Sequence, residues 1–192
     1  MICSDFQVPS VKTDFTQSNF SESAFISADL KGANLRGANL RGSDLRGSDL
    51  RESDLRKSDL RGVNLFWTDF RGAKLMESDL RGGSLIEANL TDANLTEANL
   101  TEANLFRADL SRASLSRTNL FGAYLKGANL SGANLSDIFL LAEAIGLRQA
   151  LSLDEAYLPK GWSVTWNNKD EAWDITTPDG PYIDPRERKK PS

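Results

Sequence analysis

From Phe15 to Leu140 a large apolar residue, Leu or Phe, stands at every fifth position, with small or polar residues between. Two places before each centre comes a small residue, mostly Ala, Ser or Thr, and one place before it comes Asp or Asn in most units. A period of five suits neither an amphipathic helix, with apolar positions three and four apart, nor an alternating strand. Within a unit, however, the small residue and the centre are two apart. In extended backbone both point to one side, and the Asp or Asn between them points to the other. The next two residues must then turn the chain so that the following centre also faces inward. Gly often holds the second of these places, as at Gly32, Gly47 and Gly122, which predicts a turn with positive φ. Where Glu, Lys, Arg, Asp or Trp stands there instead, a second turn type is expected.

A short extended segment and a corner, repeated, wind the chain into a solenoid with a narrow core. The phrase Ala33-Asn34-Leu35-Arg36-Gly37, met again as Ala93-Asn94-Leu95-Thr96-Glu97, resembles the A(D/N)LXX unit of the pentapeptide-repeat family. The resemblance covers about two-thirds of the chain. It implies an all-β solenoid, a right-handed quadrilateral parallel β-helix with four units to a coil. The 26 centres between 15 and 140 then make about 6.5 coils, a rod roughly 31 Å tall at the ~4.8 Å spacing of paired strands. Many family members lack a known activity, some inhibit topoisomerases by imitating DNA, and others act in protein interactions. The fold alone does not choose among these.

The ends leave the register. Residues 1–12 read as an N-terminal cap in which Phe6 or Val8 covers the first coil, and Phe15, Phe20 and Phe25 widen the core beside it. The repeat occupies 13–140. Residues 141–158 read as a capping amphipathic helix, carrying Leu141 and Ile145 on one side, followed by a displaced last unit, Ala156-Tyr157-Leu158. Residues 159–185 read as an aromatic hairpin with Trp162–Trp166 and Ala172–Thr176 as strands, and 186–192 as a disordered charged tail.

Composition narrows the chemistry. The chain has 192 residues, net charge −4 and no run long enough to span a membrane. No signal peptide is visible, so the cytoplasm is expected, or an organelle or thylakoid lumen if a targeting peptide has been removed. Cys3 is the single cysteine, so no internal disulfide can form. There is no His, which removes the usual general base and the commonest metal ligand. No phosphate-binding or dinucleotide fingerprint appears. A non-enzymatic protein is expected, with no catalytic, cofactor-binding or metal-ligating residues and no small-molecule substrate.

Charge is distributed in bands. Lys31, Arg36, Arg41, Arg46, Arg51, Arg56, Arg61, Arg71 and Arg81 interleave with Asp44, Asp49, Asp54, Asp59, Asp69 and Asp79, and Glu77, Glu87, Asp92, Glu97 and Glu102 follow. Nearly every Arg has an Asp or Asn nearby, which favours a solvated lattice of pairs over a nucleic-acid surface. Folded at four units to a coil, one wall is apolar: Ile26, Phe66, Trp67, Ile86, Phe106 and Tyr124 are the candidate interaction face. Either a protein partner or second copy covers it, or the tail folds onto it through Trp162, Trp166 and Trp173. The leading reading is a rigid protein-interaction scaffold. The alternative is a DNA-mimicking inhibitor or protector of a type II topoisomerase such as gyrase, which alternating charge disfavours.

Overall fold

A computed structural model describes residues 13–138, 141, 144–150 and 152–187. The cap expected at 1–12, with Phe6 and Val8, lies outside the described residues. Parallel bridges join each pre-centre residue to the one twenty positions on, Asp14 to Asn34, Asn34 to Asp54 and so on to Asn134. Twenty residues are four units, so the coil is four-sided.

The role of Asp and Asn follows from counting the backbone donors of one unit. In the unit centred on Leu50, the Leu50 N–H donates to the Asp69 carbonyl of the next coil at 2.8 Å, and Glu52 N–H to Arg71 at 3.0 Å. Asp49 N–H donates downward to the Ala28 carbonyl at 2.9 Å, and Ser53 N–H closes the corner on the Leu50 carbonyl at 3.2 Å. Only the N–H of the first corner residue is left. The Asp49 side chain accepts it, Arg51 N–H to Oδ1 at 3.1 Å. The same bond recurs at Asn34, Asn64, Asn94 and Asn129. An outward carboxamide or carboxylate thus completes every donor in its unit.

The corners correct one expectation. From Gln17 to Gly132 every second corner residue has positive φ, whether it is Gly or not. Glu52, Lys57, Trp67, Asp92 and Arg107 sit between 55° and 61°, beside glycines at 62–72°. There is one turn type in this stretch, not two. The hydrogen bonds on both sides of the corner hold the backbone there, and the left-handed conformation, which costs a side-chain-bearing residue roughly 1–2 kcal/mol, is imposed by them.

Inside, Leu30 to Leu135 and Phe70 are buried at every centre. Ser43, Ser53, Ser58 and Ser78 occupy the small inward place and donate to the carbonyl of the preceding centre at 2.6–2.7 Å. Where Val63 is oversized for this place, Gly83 stands above it; a Cβ on Gly83 would lie 3.4 Å from Val63 Cγ1. At the lower end Phe15, Phe20 and Phe25 meet edge to face, at 5.3 and 5.2 Å.

The upper end differs from the expected helix over 141–151. Its described residues include the 3-10 turn Leu147–Gln149, preceded by Gly146 in left-handed conformation. Ile145 instead extends the ladder over Tyr124, Ser152 over Asn129, and Tyr157 over Asn134. The bonding groups of the coil below capture the backbone, and the surplus residues are taken up in the 3-10 turn. Leu141, Ala144, Leu147 and Leu153 roof the core.

The tail is a small antiparallel sheet of β1 (Ser163–Asn167), β2 (Ala172–Thr177) and β3 (Gly180–Pro181), in that order. Trp166 lies opposite Trp173 in register, their rings edge to face at 5.3 Å. The sheet sits on the roof. Trp173 Nε1 donates to the Ala150 carbonyl at 3.2 Å, Arg148 Nε to the Trp173 carbonyl at 3.1 Å, and the Tyr182 hydroxyl to the Ala144 carbonyl.

Candidate interaction face

Four-fold winding stacks the first corner residues Ile26, Arg46, Phe66, Ile86, Phe106 and Lys126 along one edge of the rod. Beside them run Ser27, Gly47, Trp67, Glu87, Arg107 and Gly127. Ile26, Phe66, Ile86, Phe106 and Tyr124 are half-buried, whereas Trp67 is 62% exposed. The Trp67 ring stacks on Phe66 at 4.5 Å, and its Nε1 donates to Glu87. Phe106 stacks on Tyr124 at 6.1 Å, and the Arg107 guanidinium lies 5.0 Å above Phe106. Below Trp67 is an open slot of about 310 Å3, lined by Ile26, Ser27, Arg46, Gly47, Phe66 and Trp67. Arg46 does not fill it, because its guanidinium folds back on Asp44 at 2.7 Å.

This edge also lacks several caps. Ala24 and Ser84 replace the usual Asp or Asn, and among the described residues no acceptor within the chain serves the N–H of Ile26 or Ile86.

Of the tail residues, Trp173 is buried on the roof, Trp162 is half-buried there, and Trp166 is 45% exposed. None of the three lies on the apolar edge. The tail meets that edge at Arg186, whose guanidinium is 5.5 Å from the Tyr124 ring. Arg186 was expected in the disordered tail, but it is held by Asp184 through Nε and Nη2, each at 3.0 Å. Asp184 is buried and also accepts from Gly146 N–H at 2.7 Å and Arg186 N–H at 2.9 Å. Burial pushes its carboxyl up, but the bonds from Arg186 and Gly146 outweigh that and hold its pKa at about 2. Nothing in the repeat marks Asp184; only the closing of the tail on Gly146 reveals it.

From Arg46 to Arg81 the arginines of the basic band are neutralised where they stand. Arg46, Arg51, Arg56, Arg61, Arg71 and Arg81 each grip the Asp two residues earlier with Nε and Nη2. The guanidinium bonds hold Asp44, Asp49, Asp54 and Asp59 below the ordinary carboxylate range. Arg36 and Arg41 follow Asn rather than Asp and form no ion pair among the described residues. Higher up, charge pairs across coils: Lys57 with Glu77 at 3.2 Å, Arg112 with Asp92 at 2.7 Å and Arg117 with Glu97 at 2.8 Å. Sequence spacing of twenty is the signal for these. Gly47 as the floor of a slot was missed, although the same spacing places it between Ser27 and Trp67.

Among the described residues no helix is long and apolar enough to cross a membrane. No curated protein matches the chain. Among solved structures, HetL, a pentapeptide repeat protein involved in heterocyst differentiation regulation from the cyanobacterium Nostoc sp. strain PCC 7120, is 30% identical. The match covers 77% of this chain and 75% of HetL, with a TM-score of 0.56. Rfr23, a pentapeptide repeat protein from the cyanobacterium Cyanothece 51142, is also 30% identical, over 57% of this chain and 85% of its own, with a TM-score of 0.47. The family model for pentapeptide repeats matches residues 11–37, 33–72, 73–112 and 98–137, in eight copies. With its five-residue period, its four-sided coil and this match over most of its length, the chain belongs to the pentapeptide-repeat family.

Proposed function

We propose that this protein is a non-enzymatic, rigid scaffold for protein contact, and that the edge formed by Ile26, Phe66, Trp67, Ile86, Phe106 and Tyr124 is its contact surface. One observation carries the reading. With Met76 and Phe121 as exceptions, the large apolar first-corner residues gather on this edge, and the aromatic tail, which could have covered them, is engaged on the roof. Apolar side chains left in a row at a solvent-facing corner are a feature of interaction surfaces. The continuous ladder supplies rigidity, so little ordering entropy is lost when a partner docks. The cytoplasm remains the proposed compartment.

The DNA-mimic alternative needs an extended negative potential. Here Asp44, Asp49, Asp54, Asp59, Asp69 and Asp79 are each paired with an Arg of the same unit, which weighs against it, and the same pairing weighs against nucleic-acid binding. Photo-crosslinkers placed at Phe66 and, as a reference, at Arg61 in the full chain test the scaffold reading in native cell extract. Adducts are expected at position 66 and not at 61. Equal labelling at both, or none at 66, refutes the assigned surface.

A further inference from the structure

We infer that the edge from Ile26 to Ile86 pairs with the same edge of a second copy of this chain, antiparallel, with Trp67 of each copy seated in the Gly47 slot of the other. The inference rests on the scaffold reading above and names the partner.

Three features of the edge lead there. The first is a knob beside a hole. Trp67 is the most exposed aromatic of the corner at 62%, and the slot floored by Gly47 lies one coil below it. A two-fold axis perpendicular to the rod and midway between these two coils places each Trp67 against the partner's Gly47 slot. It does so reciprocally, as a closed two-fold interface requires. The same axis sets Ile26 against the partner's Ile86, so apolar residues meet at both ends of the contact. It also sets Arg46 against the partner's Phe66, where a guanidinium lies well over an aromatic face.

The second feature is spacing. Side chains along the edge repeat at the coil rise, about 4.8 Å. A partner helix repeats at 5.4 Å per turn and a strand face at roughly 6.7 Å, so either loses register within a few contacts. A second rod of the same coil keeps register along its whole length.

The third is the backbone. Among the described residues, the N–H groups of Ile26 and Ile86 have no acceptor within the chain, and the proposed axis brings those two coils together. Ser27 and Ser84, one and two residues from them in sequence, carry hydroxyls able to accept.

A contact of four coils is about 19 Å long by the same rise, and a strip of that length would have to be about 40 Å wide to reach the roughly 800 Å2 per partner of a standard interface, far more than one edge of the rod offers. The dimer is therefore weak and depends on concentration.

Sedimentation equilibrium of the full chain from about 10 μM to 1 mM tests this, a range that brackets weak affinities. The mass is expected to rise from 21.1 kDa toward twice that value. Gly47→Glu fills the slot with a residue this turn already accommodates at Glu52 and Glu87, and Trp67→Glu removes the knob. Each is expected to hold the protein at monomer mass with unchanged circular dichroism. Gly32→Glu, on another corner where an added Cβ meets nothing within 4 Å, is expected to dimerise as wild type. A wild-type monomer across the range overturns the pairing yet leaves the scaffold reading to its cross-linking result. A dimer that survives both Gly47→Glu and Trp67→Glu overturns the assigned edge.

Discussion

Glu102 isolates the cost of the corner conformation. Its φ is 57°, its side chain is exposed, and among the described residues it forms no ion pair. Replacing it with Gly therefore changes the backbone term and little else. Holding an L-residue in the left-handed region costs roughly 1–2 kcal/mol. Against this, Gly adds freedom to the unfolded chain that opposes folding by about 0.5–1 kcal/mol. The difference is a stabilisation centred on about 0.75 kcal/mol, within a range of about 0–1.5 kcal/mol. For a chain of this size that raises Tm by about 1–4 °C. Glu102→Ala keeps the strain and serves as the reference, with a change expected within about 0.5 kcal/mol. Gly122→Ala, one coil above, runs the exchange in reverse. It creates a left-handed Ala whose Cβ lies 3.3 Å from Glu102 Cγ, and by the same subtraction should cost on the order of 1 kcal/mol, the close contact adding to the backbone term. Urea denaturation followed by circular dichroism measures all three. If Glu102→Gly is no more stable than Glu102→Ala, the positive φ at this corner carries no strain, and the account of the corners fails.

Other outcomes follow from the core and the roof. Leu80→Ala at mid-shaft should cost about 2–5 kcal/mol, because coils fixed by hydrogen bonds on both sides cannot collapse around the gap, while Arg41→Ala should cost well under about 1 kcal/mol; equal losses in urea would mean that the inward and outward faces are misassigned. The Asp184 carboxyl is depressed from 3.8 to about 2, so its contribution to tail docking is complete above pH 4 and is lost as pH falls through about 2. Tryptophan fluorescence should report loosening of Trp173 across that window, and in Asp184→Asn, which gives up charge-assisted bonds of about 1.5–3 kcal/mol, the acid-dependent step should disappear. A wild-type signal flat from pH 4 to 2 would contradict the role given to Asp184.

The repeat itself made the coil legible. Each Leu is inward and each Asp or Asn outward because extended backbone alternates, and the spacing of twenty then assigns every corner residue to its column, including the apolar edge from Ile26 to Phe106. These are local rules, repeated often enough to be unmistakable. Two kinds of feature were not local. The left-handed φ of Glu52, Lys57 or Trp67 runs against side-chain preference, and is imposed by hydrogen bonds to residues about twenty positions away. Likewise the Leu spacing of 141–151 suits a helix, yet Ile145 and Ser152 join the ladder because the coil below presents unpaired backbone groups that must be satisfied. Where the tail lands depends on the pairing of Asp184 with Gly146, Tyr182 with Ala144 and Trp173 with Ala150. Each joins positions more than twenty residues apart in a stretch without a period, so the roof took shape only from the packing of the folded chain.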